Sequence, residues 1–154
     1  MDRPEPQQTT IPHTTPGDPF PFVYQPLAID NIRLLRILPR RDEQPTIACH
    51  VFDVPLVGSE TTYLYEALSY VWGSEEKPRS ISIDGCDFAV GENLYAALCS
   101  LQHAHLERII WIDAVCINQD NLVEKGQQVQ RMNEIYARAR GVIVWLGEPT
   151  ATSD

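Results

Sequence analysis

Two runs, Ile109-Ile110-Trp111-Ile112 and Val142-Ile143-Val144-Trp145-Leu146, are apolar at every position, and the stretch between them has helical periodicity. A strand that is apolar on both faces must be covered on both faces. Such strands with helices between them imply a parallel sheet between helix layers. Right-handed crossovers would set strands at 65–71, 109–113 and 142–146 side by side. The expected class is therefore α/β.

The remaining elements follow from local pattern. Ile32–Leu38 is a dense apolar run that stops at Pro39, and Thr46–Phe52 is a second strand, ended by Pro55. The polar loop between them predicts an antiparallel hairpin. Asp84-Gly85 supplies the two positive-φ positions of a type I′ turn, so Ile81–Val90 is a second hairpin, with Ile83 opposite Cys86 and Ile81 opposite Phe88. Leu94, Leu98 and Leu101 predict a helix over 93–104 with Asn93 as its cap. Val129, Met132, Ile135, Tyr136 and Ala139 form one stripe, predicting a single helix over 124–140 with Gly141 just beyond its end.

Residues 1–26 hold seven of the twelve prolines and show no period, so a disordered tail is expected there, with the folded domain over 27–154. A net charge of -9 lacks the basic face that nucleic acid or an anionic membrane surface requires. No apolar run approaches the ~20 residues of a spanning helix, and no secretory leader is visible. A cytoplasmic protein is expected, with neither nucleic acid nor membrane as partner. Cys49, Cys86, Cys99 and Cys116 are widely spaced and form no zinc pattern, so they read as reduced thiols and no metal is nominated.

Three blocks carry a family resemblance. They are Tyr65-Glu66-Ala67-Leu68-Ser69-Tyr70-Val71-Trp72-Gly73, then Trp111-Ile112-Asp113-Ala114-Val115-Cys116-Ile117-Asn118-Gln119, and lastly Gln128-Val129 with Met132, Ile135-Tyr136, Ala139 and Val144-Trp145-Leu146-Gly147. In this order and spacing they resemble the fungal heterokaryon incompatibility (HET) domain, over about Leu27 to Gly147. The resemblance implies a role in non-self recognition, as the effector that triggers programmed cell death. It also implies a remote likeness to the Toll/interleukin receptor (TIR) fold. On that plan Tyr65–Tyr70, Ile109–Asp113 and Val142–Leu146 resemble the first three TIR strands. The N-terminal hairpin is an addition and the hairpin near 80–90 an insertion.

TIR domains are either self-associating scaffolds or enzymes that cleave NAD, so the resemblance implies no required cofactor and makes NAD a candidate substrate. The enzymes use a glutamate on the helix after the third strand. Only seven residues follow Gly147 here, so the expectation is a HET domain truncated at its C-terminal end. Glu148 follows the strand too early to be that glutamate. Candidate catalytic carboxylates are Asp113, Glu124 and Glu148, and candidate ligand-binding residues are Ser69, Trp72, Asp113, Asn118 and Gln119. Asp113 ends a strand at its carboxyl end, where α/β folds gather ligands, yet an aspartate there also caps loop amides. Ser69 lacks the elbow of a nucleophilic serine and reads more readily as a small buried hydroxyl. Asn118 and Gln119 could read a base or ribose edge, or simply build the loop. Trp72 stands at a strand exit, where its ring would reach a cleft mouth.

Three functions follow: a cell-death effector that works by self-association or through a partner receptor, a TIR-like NAD nucleosidase, and an inactive truncated fragment.

Overall fold

A computed structural model of the chain describes residues 20–41, 46–57 and 64–147. Its strands are β1 (Asn31–Ile37), β2 (Ala48–Pro55), β3 (Glu66–Tyr70), β4 (Arg79–Ile83), β5 (Cys86–Val90), β6 (Arg108–Trp111) and β7 (Gly141–Trp145). Its helices are α1 (Glu92–Leu101), α2 (Asp113–Cys116), α3 (Leu122–Gln130) and α4 (Met132–Arg138). All seven strands join one sheet in the order β5-β4-β2-β1-β6-β3-β7.

Both expected hairpins form. β1 and β2 pair antiparallel along their length, with Leu34 opposite Phe52. Asp84 and Gly85 take φ values of 53° and 78°, and Ile83 faces Cys86 while Ile81 faces Phe88. The three strands expected side by side are neighbours, with β3 in the middle and parallel to both β6 and β7. The sheet as a whole is mixed, however, and most of its paired residues are antiparallel. β1 runs antiparallel to β6 and couples the first hairpin directly to the parallel trio. The hairpin near 80–90 extends the same sheet, because β4 pairs parallel with β2. A purely parallel sheet would have left these hairpin edges unpaired.

The core follows from strand alternation. Adjacent residues point to opposite faces, yet both members of Leu34-Leu35, Ala67-Leu68 and Ile110-Trp111 are fully buried. The middle of the sheet is therefore covered on both sides. β7 differs. It lies at the sheet edge, and Val142 and Val144 are exposed where a buried strand was expected.

Four local expectations need correction. The folded part begins before Leu27: Phe22, Tyr24 and Phe88 meet edge to face at 5.0–6.2 Å, and the Tyr24 hydroxyl donates to the Val115 carbonyl. Alternating aromatics anchor this segment despite its prolines. Asn93 is not the cap of α1. Gly91 holds that position, and the Asn93 amide reaches back to donate to the Val71 carbonyl at 3.0 Å. The expected single helix over 124–140 is two helices. At Arg131 the N–H bonds the carbonyl of Gln128, three residues back, and the guanidinium is drawn to Asp30 at 3.0 Å. Gly141 opens β7 rather than closing a helix, because α4 ends on Ala139 in an extended conformation.

The hairpin turn gives a clean test. Nothing lies within 4 Å of a Cβ built on Gly85, so Gly85→Ala meets no clash and its penalty is conformational. A loss of about 1–2 kcal/mol in urea unfolding is expected. Leu98→Ala, which empties a fully buried site on α1, is expected to remove about 2–5 kcal/mol.

Candidate functional site

A cleft of about 350 Å³ opens beyond the carboxyl end of β3, beside the first turns of α1 and α2. Tyr70, Trp72, Phe88, Leu94, Ala114 and Gln119 are among its walls, with Glu75, Glu76 and Lys77 at its rim. The wall at Trp72 is shaped by its neighbour. Gly73 has φ 71°, and a Cβ there would lie 2.9 Å from the Asn93 amide nitrogen. Only glycine suits both the backbone angle and the close approach. Gly73 therefore lets Asn93 hold the Val71 carbonyl, and that bond fixes the strand exit that carries Trp72.

Asp113 lies just behind this wall as the first residue of α2, since β6 stops at Trp111. Its Oδ1 accepts from the Ala114 amide at 2.8 Å, and its carbonyl accepts from the Gln119 side chain at 2.8 Å. Burial pushes its pKa up, and the Ala114 amide and the Trp72 indole oppose that rise. The phenols of Tyr70 and Tyr136 are pushed up as well, first by burial and then by the Asp113 charge. Asp113 thus bonds an amide of its own helix and lies behind the cleft wall, outside the lining residues.

Glu124 is placed elsewhere. Arg33, inside β1, donates from one terminal nitrogen to Glu124 Oε2 at 2.8 Å and from the other to Oε1 at 2.6 Å. Both side chains are buried. Arg33 also donates to the carbonyls of Cys116 and Gln25, and it lies over the Tyr24 ring at 4.9 Å. Glu124 Oε2 accepts the Asn118 amide too, at 2.6 Å. Burial alone would raise the Glu124 pKa, but the Arg33 hydrogen bonds, the Asn118 amide and the Arg33 charge bring it below its ordinary value. Glu124 is an ionised structural anchor, fully engaged.

The structure therefore brings Trp72 and Gln119 together on the cleft, with Asp113 immediately behind. Ser69 is half-buried in β3 and is not among the cleft walls. Asn118 turns its side chain to the Asp120 amide at 3.2 Å, as a loop builder does. Glu148 lies outside the described residues. Among the described residues no three His, Cys, Asp or Glu side chains gather where a metal ion could be held, and no helix is long and apolar enough to cross a membrane. Burial pushes the thiols of Cys49 and Cys116 up to about 12, so neither is a ready nucleophile.

The blocks that shape this region, from β3 to Gly73 and from β6 to Gln119, fall within residues 65–154, which match the family described as Heterokaryon incompatibility protein (HET). The chain belongs to the HET family. It is also similar to "Heterokaryon incompatibility protein 6, OR allele" of Neurospora crassa, with 34% identity over 143 residues. That match covers 82% of this chain and 21% of the relative, so the chain spans about a fifth of the relative's length. No solved structure matches the chain. The HET blocks thus supply the cleft wall, the Asp113 turn and the helix that carries Glu124.

Arg33 and Gln128 escaped the sequence reading of the site. The signal for Arg33 was a charge in the middle of a buried apolar run, which demands a partner. Gln128, one turn after Glu124, donates to the Asn31 carbonyl at 3.1 Å and binds α3 to the start of β1.

Removing one partner strands a buried charge. Arg33→Met is expected to lose about 3–5 kcal/mol in chemical denaturation. Glu124 also sets a pH dependence. Its folded pKa is depressed, so its contribution is complete above the ordinary carboxylate value of about 4.3 and is lost as pH falls through the folded value. Stability measured against pH below about 4.3 is expected to slope less steeply in Glu124→Gln than in the native chain.

Proposed function

We propose that this chain is an effector domain of fungal heterokaryon incompatibility, acting in the cytoplasm by assembly. Copies brought together by self-association or by a partner receptor would trigger programmed cell death. The observation that carries this reading is family membership, joined to 34% identity with a protein named for heterokaryon incompatibility. The order β6-β3-β7, with β3 central and parallel to both neighbours, supports a TIR-like interpretation of this half of the sheet. Glu124 favours assembly over catalysis. Glu124 is held on both oxygens by Arg33, with the Asn118 amide on Oε2 as well, whereas Asp113 takes the Ala114 amide on Oδ1. A general acid or a sugar-stabilising carboxylate needs an oxygen free to meet its substrate.

A second reading, cleavage of the N-glycosidic bond of NAD, rests on the cleft itself. The exposed Trp72 ring offers a stacking face, Gln119 a hydrogen-bonding edge, and Asp113 a carboxylate nearby.

One comparison separates the two. Under the assembly reading, the chain fused to an inducible oligomerisation tag arrests growth in a fungal cell, and Asp113→Asn in the same fusion arrests it equally. The purified chain then releases no nicotinamide from NAD. Nicotinamide release that Asp113→Asn abolishes would move the function to the nucleosidase, and a forced oligomer without growth arrest would remove the assembly reading.

A further inference from the structure

The cleft beyond β3 has aromatic walls and a charged rim, and each selects a different feature of an occupant. Its volume of about 350 Å³ compares with about 150 Å³ for a cavity that holds benzene, so it takes one or two rings. Tyr70, Phe88 and Trp72 stand among its walls, and Trp72 is 48% exposed, which leaves ring surface to be covered. The negative face of an aromatic ring attracts a cation as well as a second ring. At the rim Glu75 and Glu76 outnumber Lys77, and among the described residues neither glutamate is paired with a cation. Arg79, two residues beyond Lys77, is taken by Glu92 at 3.2 Å. The two helix starts at the cleft, whose dipoles would favour an anion, are answered by acids of their own. Glu92 lies in the first turn of α1 and Asp113 in that of α2. Asp113 also lies against the Trp72 indole, so its charge is felt at that wall. The balance at the cleft is negative.

We propose that this cleft is a binding site for a small planar aromatic cation. The ring of the ligand stacks on Trp72, and its positive group points to the rim at Glu75 and Glu76. The polar group on the wall suits the same occupant. The side-chain nitrogen of Gln119 is committed to the Asp113 carbonyl at 2.8 Å, which leaves its oxygen to accept from the N–H donors of a cation. A ligand carrying phosphates would meet like charge at Glu75 and Glu76. Every wall and rim residue lies between Tyr70 and Gln119, so the site is assembled without either end of the chain. The proposal depends on neither reading above, because it concerns what the cleft holds and not whether copies assemble or a bond is cleaved.

The test uses the purified 154-residue chain and three probes of one shape: benzamidine as the cation, benzamide as its neutral counterpart and benzoate as the anion. Tryptophan fluorescence and calorimetry, titrated to about 10 mM ligand at low salt, are expected to show saturable benzamidine binding. Benzamide is expected to bind about tenfold more weakly, and benzoate not at all. The double variant Glu75→Gln, Glu76→Gln is altered only at exposed positions. It is expected to bring benzamidine down to the level of benzamide without moving the thermal transition. Trp72→Ala is expected to abolish the binding of both. Equal affinity for benzamidine and benzamide overturns the proposal, as does tighter binding of benzoate. No saturable binding of any probe overturns it too, whether the cleft is filled by another part of the chain or its rings hold no ligand. Benzamidine binding that survives Trp72→Ala, or that keeps its preference over benzamide in the double variant, belongs to a different site and overturns it as well. None of these outcomes bears on growth arrest by the forced oligomer, so the effector reading is judged separately.

Discussion

The arrangement of α3 depends on one buried ion pair. Arg33 sits in β1 between Ile32 and Leu34, both fully buried, where an unpaired guanidinium could not remain. Its two terminal nitrogens meet the two oxygens of Glu124, and this fork fixes distance and orientation together. Desolvation offsets much of the attraction, so the pair adds little net stability beyond a well-packed apolar alternative. Its consequence is geometric. α3 must present Glu124 and, one turn later, Gln128 to β1, so Leu122, Val123 and Val129 face outward. The same guanidinium holds the carbonyls of Cys116 and Gln25, which brings the end of α2 and the N-terminal aromatic segment to one point.

The cleft inherits this constraint. Glu124 Oε2 holds the Asn118 amide, and Asn118 is followed by Gln119, whose side chain holds the Asp113 carbonyl and lines the cleft. Asn121 caps α3 through the Glu124 amide, closing the loop between α2 and α3. The side of the cleft at Gln119 is therefore set from β1, while the side at Trp72 is set from α1 through Asn93 and Gly73. A change at Arg33 would reach the cleft without touching it.

Much of this was legible in the sequence where a local rule fixes geometry. Asp84-Gly85 gave the hairpin with its register, and the dense apolar runs gave strands in the expected neighbourhood. Long-range pairing was less legible. Nothing local in Ile32–Ile37 says that β1 will sit between β2 and β6, because an apolar strand accepts either orientation. The stripe Val129, Met132, Ile135, Tyr136 and Ala139 described α4 well and misplaced Val129, since α3 turns polar residues inward. Periodicity assumes that the buried face is apolar, and Arg33 reverses that assumption for one helix. Trp72 was legible as a cleft residue because a strand exit carries meaning by itself, whereas Gln119 was singled out for the amide-rich loop after α2 and Asp113, expected at a strand end, opens that helix. Glu124 was found as a carboxylate but not as Arg33's partner, because that pairing spans 91 positions.

The proline-rich start of the chain shows how one composition serves two ends. Prolines cannot donate to a ladder, which argues against a strand at 20–26. Yet at the β5 edge the donors are Phe22 and Asp87, and Pro21 stands between two residues that carry the bonds, so its missing N–H is not called upon. A proline here also prevents the added segment from offering a fresh, fully competent edge to another chain. Phe22 and Tyr24 do the opposite work for side chains: Phe22 packs on Phe88, and Tyr24 reaches past it to Val115 and lies against Arg33. The segment thus closes one edge of the sheet and completes the enclosure of the buried guanidinium.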